Sequence, residues 1–397
     1  MSIVVNIRHK KETKIGYNFL RTRANFENLY VGIQDEAYCL DDYQGDEDIR
    51  GIYFVLFSRE KFHRGFGFKV DEDYNIELVL NYPCSKRDVM IFYKFINDYC
   101  LNFDIPTFTE EGEEFTLKNI PELQNEKIEF NKMLIRDDLK SGLTIFGCIY
   151  PITLDDDFIL GIRYLDPDGA LNAFANYLDK LQRPIYYFAK PALYYSADPN
   201  KYIAKYSLTK DVPSIFPINA HLPFGYDEKF KDNIVSWQVV VAELLEPNGF
   251  KIHAEMSYDE FCQVINLSKY PKFDKTHVLI TIDDKALSKI AQHNIQTAQE
   301  TMINWLSDYR ELGCKPAQIE FTKEFVTEDG IHCYIFKYKK TLLSNWWLGI
   351  VSESGTFSEF KEYNQATEIA DAIEIINLLK TFWKKEAERI DKEKENG

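Results

Sequence analysis

Apolar and polar residues alternate along RGFGFKVDEDYNIELVLNYP. Phe66, Phe68 and Val70 fall on one strand face, and Ile76, Leu78 and Leu80 do the same after an acidic turn. This period of two predicts a hairpin with one buried face. Pro83 ends the second strand, and Ser85 is placed to cap a helix. In KRDVMIFYKFINDYC the period changes to helical, with Val89, Phe92, Tyr93 and Ile96 on one stripe. FTEEGEEFTL reads as a second hairpin, and Pro121 suits the first turn of another helix.

The middle of the chain repeats these signals in shorter pieces. IFGCIYPITLDDDFILGIRYL reads as two strands around an acidic turn, and the DPDG stretch from Asp166 to Gly169 predicts a turn and cap for the helix ALNAFANYLDKLQ. Short strands separated by prolines follow in IYYFAKPALYY, YIAKYSL and PSIFPINAHLPF, and SKYPKFD (268–274) has the composition of a boundary. The last part begins with the strand HVLITI. A helix over 285–312 comes next, with Leu287, Ile290, Ile295, Ala298, Met302, Trp305 and Tyr309 on its apolar stripe. QIEFTKEFV and IHCYIFKYKK flank a Glu-Asp-Gly turn, WWLGIVS and TFSEFKEY flank ESG, and Thr367 leads into a final amphipathic helix. The pattern predicts an α+β fold of antiparallel hairpin sheets covered by amphipathic helices, in two to three domains: 1–142, 143–272 and 273–397. NYPCSKRDVMIFYKFI and EYNQATEIADAIEIINLL share a strand-to-helix plan, which convergent packing explains as well as duplication does.

Composition narrows the functional classes. The chain has 397 residues, more than one ordinary core. Its 47 basic and 63 acidic side chains give 47 − 63 = −16 at neutral pH. Such a charge repels nucleic-acid backbones and anionic membrane surfaces, and favours encounter with a basic protein partner. The apolar run at the N-terminus is too short for a signal peptide. GIYFVLF, residues 51–57, is too short to span a bilayer. Seven cysteines without a Cys-x-x-Cys pair fit reduced, buried thiols and a cytoplasmic location.

Motifs for chemistry are scarce. Ser352 and Ser354 miss the Gly-x-Ser-x-Gly spacing, and a strand rather than a helix follows them, so a hairpin turn is the expected role. The seven histidines show no metal-ligand spacing, so no metal is expected; His253 and Glu255 share a strand face as an isolated pair. Gly65-Phe-Gly67 lies inside a strand pattern and opens no helix, so it is not a dinucleotide loop, and no cofactor is expected. DEAYCLDDYQGDEDIR lacks the rhythm of a calcium loop and reads as a solvated acidic loop. Its residues Asp41, Asp42, Asp46, Glu47 and Asp48 are candidate contacts for a basic partner. Trp346 and Trp347 point to opposite faces if they sit on one strand, and Trp346 is the candidate contact anchor.

The segment WWLGIVSESGTFSEFKEYNQATEIADAIEIINLLKTFWKKEA resembles the end of uncharacterised bacterial domains grouped with toxin-immunity-like proteins. AKPALYY, YSLTKDVPSIFP and FDKTHVLI resemble a bacterial family of unknown function that would cover much of the first 280 residues. The resemblance implies a cytosolic α+β protein that works by binding and transfers no site residues. The expected function is therefore a non-enzymatic binding protein, in its sharper form an immunity-type protein that neutralises a basic toxin. The rival is a hydrolase or transferase with a carboxylate or histidine site.

Overall fold

The computed structural model describes residues 1–9, 13–245, 249–293, 316–326, 332–339, 346–352 and 357–362. In the last four stretches, side chains are described only at 317–320, 336–339 and Trp347. The first strands are β1 (Ser2–Ile7), β2 (Leu29–Gln34), β3 (Leu40–Asp41), β4 (Tyr53–Ser58), β5 (Phe66–Val70), β6 (Ile76–Asn81), β7 (Thr107–Glu110) and β8 (Glu113–Thr116). They form one eight-stranded antiparallel sheet in the order β3-β2-β4-β5-β6-β1-β7-β8. Register places Phe54 opposite Phe68, Phe68 opposite Leu78 and Val5 opposite Leu78, so these side chains line one face.

Helices α1 (Tyr17–Phe26) and α2 (Lys86–Asn102) bury Leu20, Ala24, Val89, Phe92, Phe95, Ile96 and Tyr99. Phe66 meets Phe92 and Phe95 at ring separations of 5.6 and 5.4 Å, and Phe68 meets Phe95 at 6.1 Å. Each such ring removed from water contributes roughly 2–3 kcal/mol. The capping box expected at Ser85 is present, with Ser85 and Asp88 bonding each other's backbone N–H groups. Helix α3 (Ile120–Met133), with Pro121 in its first turn, packs on α2.

One expectation fails in the middle segment. The strands β9 (Thr144–Phe146) and β10 (Pro151–Thr153) flank residues 147–150, not the acidic run. Asp155 instead caps helix α4 (Asp156–Arg163) by accepting from the Phe158 N–H at 2.6 Å. Carboxylates at 155–157 sit where the helix dipole favours negative charge, and this outweighs the strand-like run FILGI. Helix α5 (Pro167–Leu181) starts as expected at Asp166, whose carboxylate accepts from Gly169 N–H.

Beyond it lie β11 (Tyr187–Phe188), β12 (Ala192–Tyr195), β13 (Tyr202–Thr209), β14 (Ser214–Pro217), α6 (Glu228–Lys231), β15 (Ile234–Leu245), β16 (Gly249–Ser257), α7 (Tyr258–Ile265) and β17 (His277–Ile280). They build a three-stranded sheet, β11-β14-β17, and a four-stranded sheet, β12-β13-β15-β16. Most pairings are antiparallel, but β11 with β14 and β13 with β15 are parallel. Helix α7 covers the β15–β16 hairpin, and a second core forms around Tyr206, Phe216, Val239 and Phe261.

The chain divides into two units after Ile290. The expected boundaries at 142/143 and 272/273 both fall inside the first unit, whose larger core runs from Ile3 to Phe273. Asp274 helps explain why 268–274 belongs there: its buried carboxylate accepts from Thr153 N–H at 2.9 Å and His277 N–H at 2.7 Å. Residues 284–293 are helical, and the rest of the helix expected over 285–312 lies outside the described residues. In the second unit β18 (Ile319–Val326), β19 (His332–Lys339), β20 (Trp346–Ser352) and β21 (Phe357–Glu362) form an antiparallel sheet in chain order. The final helix expected after Thr367 lies outside the described residues. Among the described residues no helix is long and apolar enough to cross a membrane.

Candidate functional site

Between β4 and β5 the chain turns through His63, Arg64 and Gly65, and the start of α2 holds the turn in place. Gly65 has φ +67°, and a β-carbon there would run into the Leu56 carbonyl. Its N–H donates to Asp88 Oδ1 at 2.8 Å. Asp88 Oδ2 accepts from the Ser85 N–H at 2.9 Å and the Ser85 hydroxyl at 2.8 Å. His63 Nδ1 stands 2.7 Å from the same hydroxyl oxygen.

These three side chains have the makings of a Ser-His-Asp set, but the order is wrong for nucleophilic catalysis. Ser85 has one proton, and the acceptor-only carboxylate of Asp88 takes it, so His63 donates from Nδ1. The serine oxygen also accepts from Asp88 N–H at 3.1 Å and is fully buried. It is a structural hub, not an activated hydroxyl.

Arg64 is the unusual member of the turn. It is 7% exposed. Its Nε donates to the Phe146 carbonyl at 2.9 Å, and Nη1 donates to the carbonyls of Pro83 and Asn81 at 2.8 and 3.3 Å. Among the described residues, Nη2 has no hydrogen-bond partner and no carboxylate lies within ion-pairing distance of the guanidinium. Burial pulls the Arg64 pKa below its ordinary value, against the pull of Cys84, Asp88 and Tyr53, yet a guanidinium stays charged in proteins. The guanidinium's direct partners are carbonyls, Asp88 acts on it only through space, and so much burial of a cation favours an anion at its remaining edge.

The guanidinium lines a cavity of about 170 Å³, together with Gln34, Tyr38, Tyr53, Val55, Asn81 and Phe146. Register explains the location. Val55 pairs with Gly67 and Gly67 with Val79, so Tyr53, Val55, Gly67 and Asn81 share the sheet face opposite α2. Gly67 leaves room for the Tyr53 ring, because a β-carbon there would overlap the phenol. Burial raises the Tyr53 phenol pKa, offset in part by a hydrogen bond with the Asn81 side chain and by the Arg64 charge. Tyr53 is itself 39% exposed, so it stands at the mouth.

Tyr38 and Gly147 join the lining from two loops, beside Gln34 at the end of β2 and Phe146 at the end of β9. Tyr38, with φ +58°, stacks on Phe146 at a ring separation of 4.0 Å. Asp35 shapes that loop by accepting from Ala37 and Cys39 N–H at 2.8 and 3.0 Å, and it pairs with Lys190. Gln34 Nε2 donates to the carbonyls of Gly147 and Tyr38 at 3.1 and 3.3 Å.

The residues singled out from sequence lie elsewhere. Asp41, Asp42, Asp46, Glu47 and Asp48 are all exposed. Asp42 accepts from the Tyr30 hydroxyl at 2.7 Å, and Glu47 caps α1 by accepting from Asn18 N–H at 3.1 Å. Asp48 accepts from Arg50 Nε at Oδ1 and from Nη2 at Oδ2, at 3.0 and 2.6 Å, and these bonds with the Arg50 backbone N–H lower its carboxyl to about 2. Glu47 and Asp48 therefore serve the chain's own fold. Trp346 begins β20 opposite Lys339, and its side chain lies outside the described residues. Among the described residues no cluster of three or more metal-ligating side chains occurs.

Sequence reasoning passed over Arg64. The available signal was the arginine beside Gly65, followed by Gly67 between the rings of Phe66 and Phe68 in β5.

A family model describes the segment that carries this cavity, over residues 2–290. The chain belongs to DUF4299, a domain of unknown function. The DUF4299 match ends where the first structural unit ends, at Ile290, so the family domain and the unit are the same stretch. No curated protein matches the chain, and no solved structure does.

Proposed function

We propose that this chain is a binding protein and that its DUF4299 domain receives an anionic ligand in the cavity around Arg64. One observation carries the reading: Arg64, a residue only 7% exposed, lines an open cavity with an Nη2 edge that has no hydrogen-bond partner and no carboxylate within ion-pairing distance among the described residues. Preformed, carbonyl-held arginines bind anions without a reorganisation cost, because the donor is already oriented. The neighbouring Ser85–Asp88–His63 cluster supports binding over hydrolysis, since its proton order leaves no nucleophile. Calorimetric titration of the full chain with a panel of small anions tests this. Saturable binding that disappears in Arg64→Met is expected, and no binding by any anion would overturn it.

A second reading keeps a basic protein partner in view, including the immunity-type role. The exposure of Asp41 at the end of β3 and of Asp42 and Asp46 in the segment after it favours it, since opposite potentials speed encounter. Pull-down of a basic protein whose affinity falls with salt, and falls further in Asp41→Asn/Asp42→Asn/Asp46→Asn, is the matching test. The cytoplasm is the compartment we propose, on the buried free thiols Cys39, Cys84, Cys100 and Cys148.

A further inference from the structure

We infer that the Arg64 cavity takes a small monocarboxylic acid whose body is a flat ring or a short aliphatic chain; this rests on the anion-binding reading above. The charge argument comes first. Arg64 is the sole cation among the lining residues, and two of its three nitrogens are already committed to carbonyls. What it offers is one charged edge, Nη2. A monoanion matches that edge. A phosphate carries nearly two charges and three oxygens and needs a multidentate clamp of donors.

The neutral donors point the same way. The Gln34 amide nitrogen is already committed to two carbonyls, so it adds no donor. The Tyr53 hydroxyl and Asn81 amide also line the cavity; their mutual hydrogen bond, with the amide donating, leaves the phenol proton and the second amide proton for the other carboxylate oxygen.

Size and wall chemistry describe the rest of the molecule. About 170 Å³ compares with the roughly 150 Å³ apolar cavity that accommodates benzene. Tyr38, Phe146 and Val55 add flat or apolar lining beside the polar edge of Arg64. A ring-sized body with one carboxylate fills the cavity, whereas a nucleotide or a sugar phosphate exceeds it.

The experiment is titration of the full-length chain with benzoate, butyrate, benzamide and inorganic phosphate, read by calorimetry and by thermal shift. Benzoate or butyrate binds saturably, benzamide binds at least tenfold more weakly because it lacks the charge, and phosphate does not compete. Gly67→Ala and Tyr53→Phe each weaken carboxylate binding about tenfold without lowering the melting temperature appreciably. These variants keep the test valid if Arg64→Met fails to fold. Phosphate binding that depends on Gly67 and Tyr53, with no carboxylate binding, overturns this inference and leaves the anion-binding reading standing. Binding by neither class overturns both.

Discussion

Tyr53 lies across Gly67 on the neighbouring strand, close enough that a β-carbon at position 67 would occupy the space of the phenol. A single missing side chain therefore lets an aromatic ring form the mouth of the cavity. Replacing Gly67 by Ala pushes the ring outward, and because Tyr53 is already 39% exposed the ring can swing away cheaply. We expect a stability change of less than about 1 kcal/mol, measured by urea unfolding, together with about a tenfold loss of anion affinity. A large stability loss with intact binding would show that the glycine serves packing alone.

Asp88 ties the Arg64 turn to the start of α2 by accepting from Gly65 N–H, Ser85 N–H and the Ser85 hydroxyl. Asp88→Ala leaves those buried donors unpaired, and each orphaned group costs roughly 1–3 kcal/mol. The expected loss is about 3 kcal/mol or more, against about 1–2 kcal/mol for removing the cap in Ser85→Ala. The double variant should fall short of the sum, since the two residues share bonds. Additive losses in urea titrations would contradict the hub.

Acid should weaken the clasp at Asp274. Burial raises the Asp274 carboxyl, but hydrogen bonding from His277 and from backbone N–H groups outweighs it and holds the folded pKa below the ordinary value. The unfolded carboxyl titrates near about 3.9. A depressed folded pKa means that its stabilisation is fully present above about pH 4 and is lost as pH falls through the folded value. Asp274→Asn should therefore cost stability at pH 7, and the gap to the unaltered chain should shrink below pH 4. A gap constant from pH 7 to pH 3 would refute the linkage.

The thiols give an independent check on the core. Cys39, Cys84, Cys100 and Cys148 are buried and free, and burial raises each of them, Cys100 to about 12. Thiolates are the reactive species, so these four should resist iodoacetamide in the native chain at pH 8 and react after unfolding in guanidinium. Peptide mass spectrometry reads each site. Native labelling of Cys84 or Cys148 would mean that the region behind Arg64 opens to solvent.

Much of the fold was legible because local signals agreed. Phe66 to Cys100 reads correctly from sequence: two alternating strands, a capping serine and a helical stripe all favour one outcome. The stretch after Thr153 misled because FILGI is strand-like by composition, while the deciding contribution is one hydrogen bond to the Asp155 carboxylate. The cavity was not legible at all. Arg64 carries no motif, and what makes it notable is the set of carbonyls it meets, one of them 82 residues away at Phe146. That no carboxylate among the described residues pairs with the guanidinium is likewise a property of the folded neighbourhood. The acidic loop was legible as exposed, but not the internal use of Glu47 and Asp48.

The free edge of Arg64 is tested most directly by a crystal structure of the full chain soaked in 4-bromobenzoate. The account predicts anomalous bromine density between the Tyr53 and Phe146 walls, with the carboxylate on Arg64 Nη2. A cavity that holds only solvent at saturating acid, or bromine bound at sites away from Arg64, would contradict it.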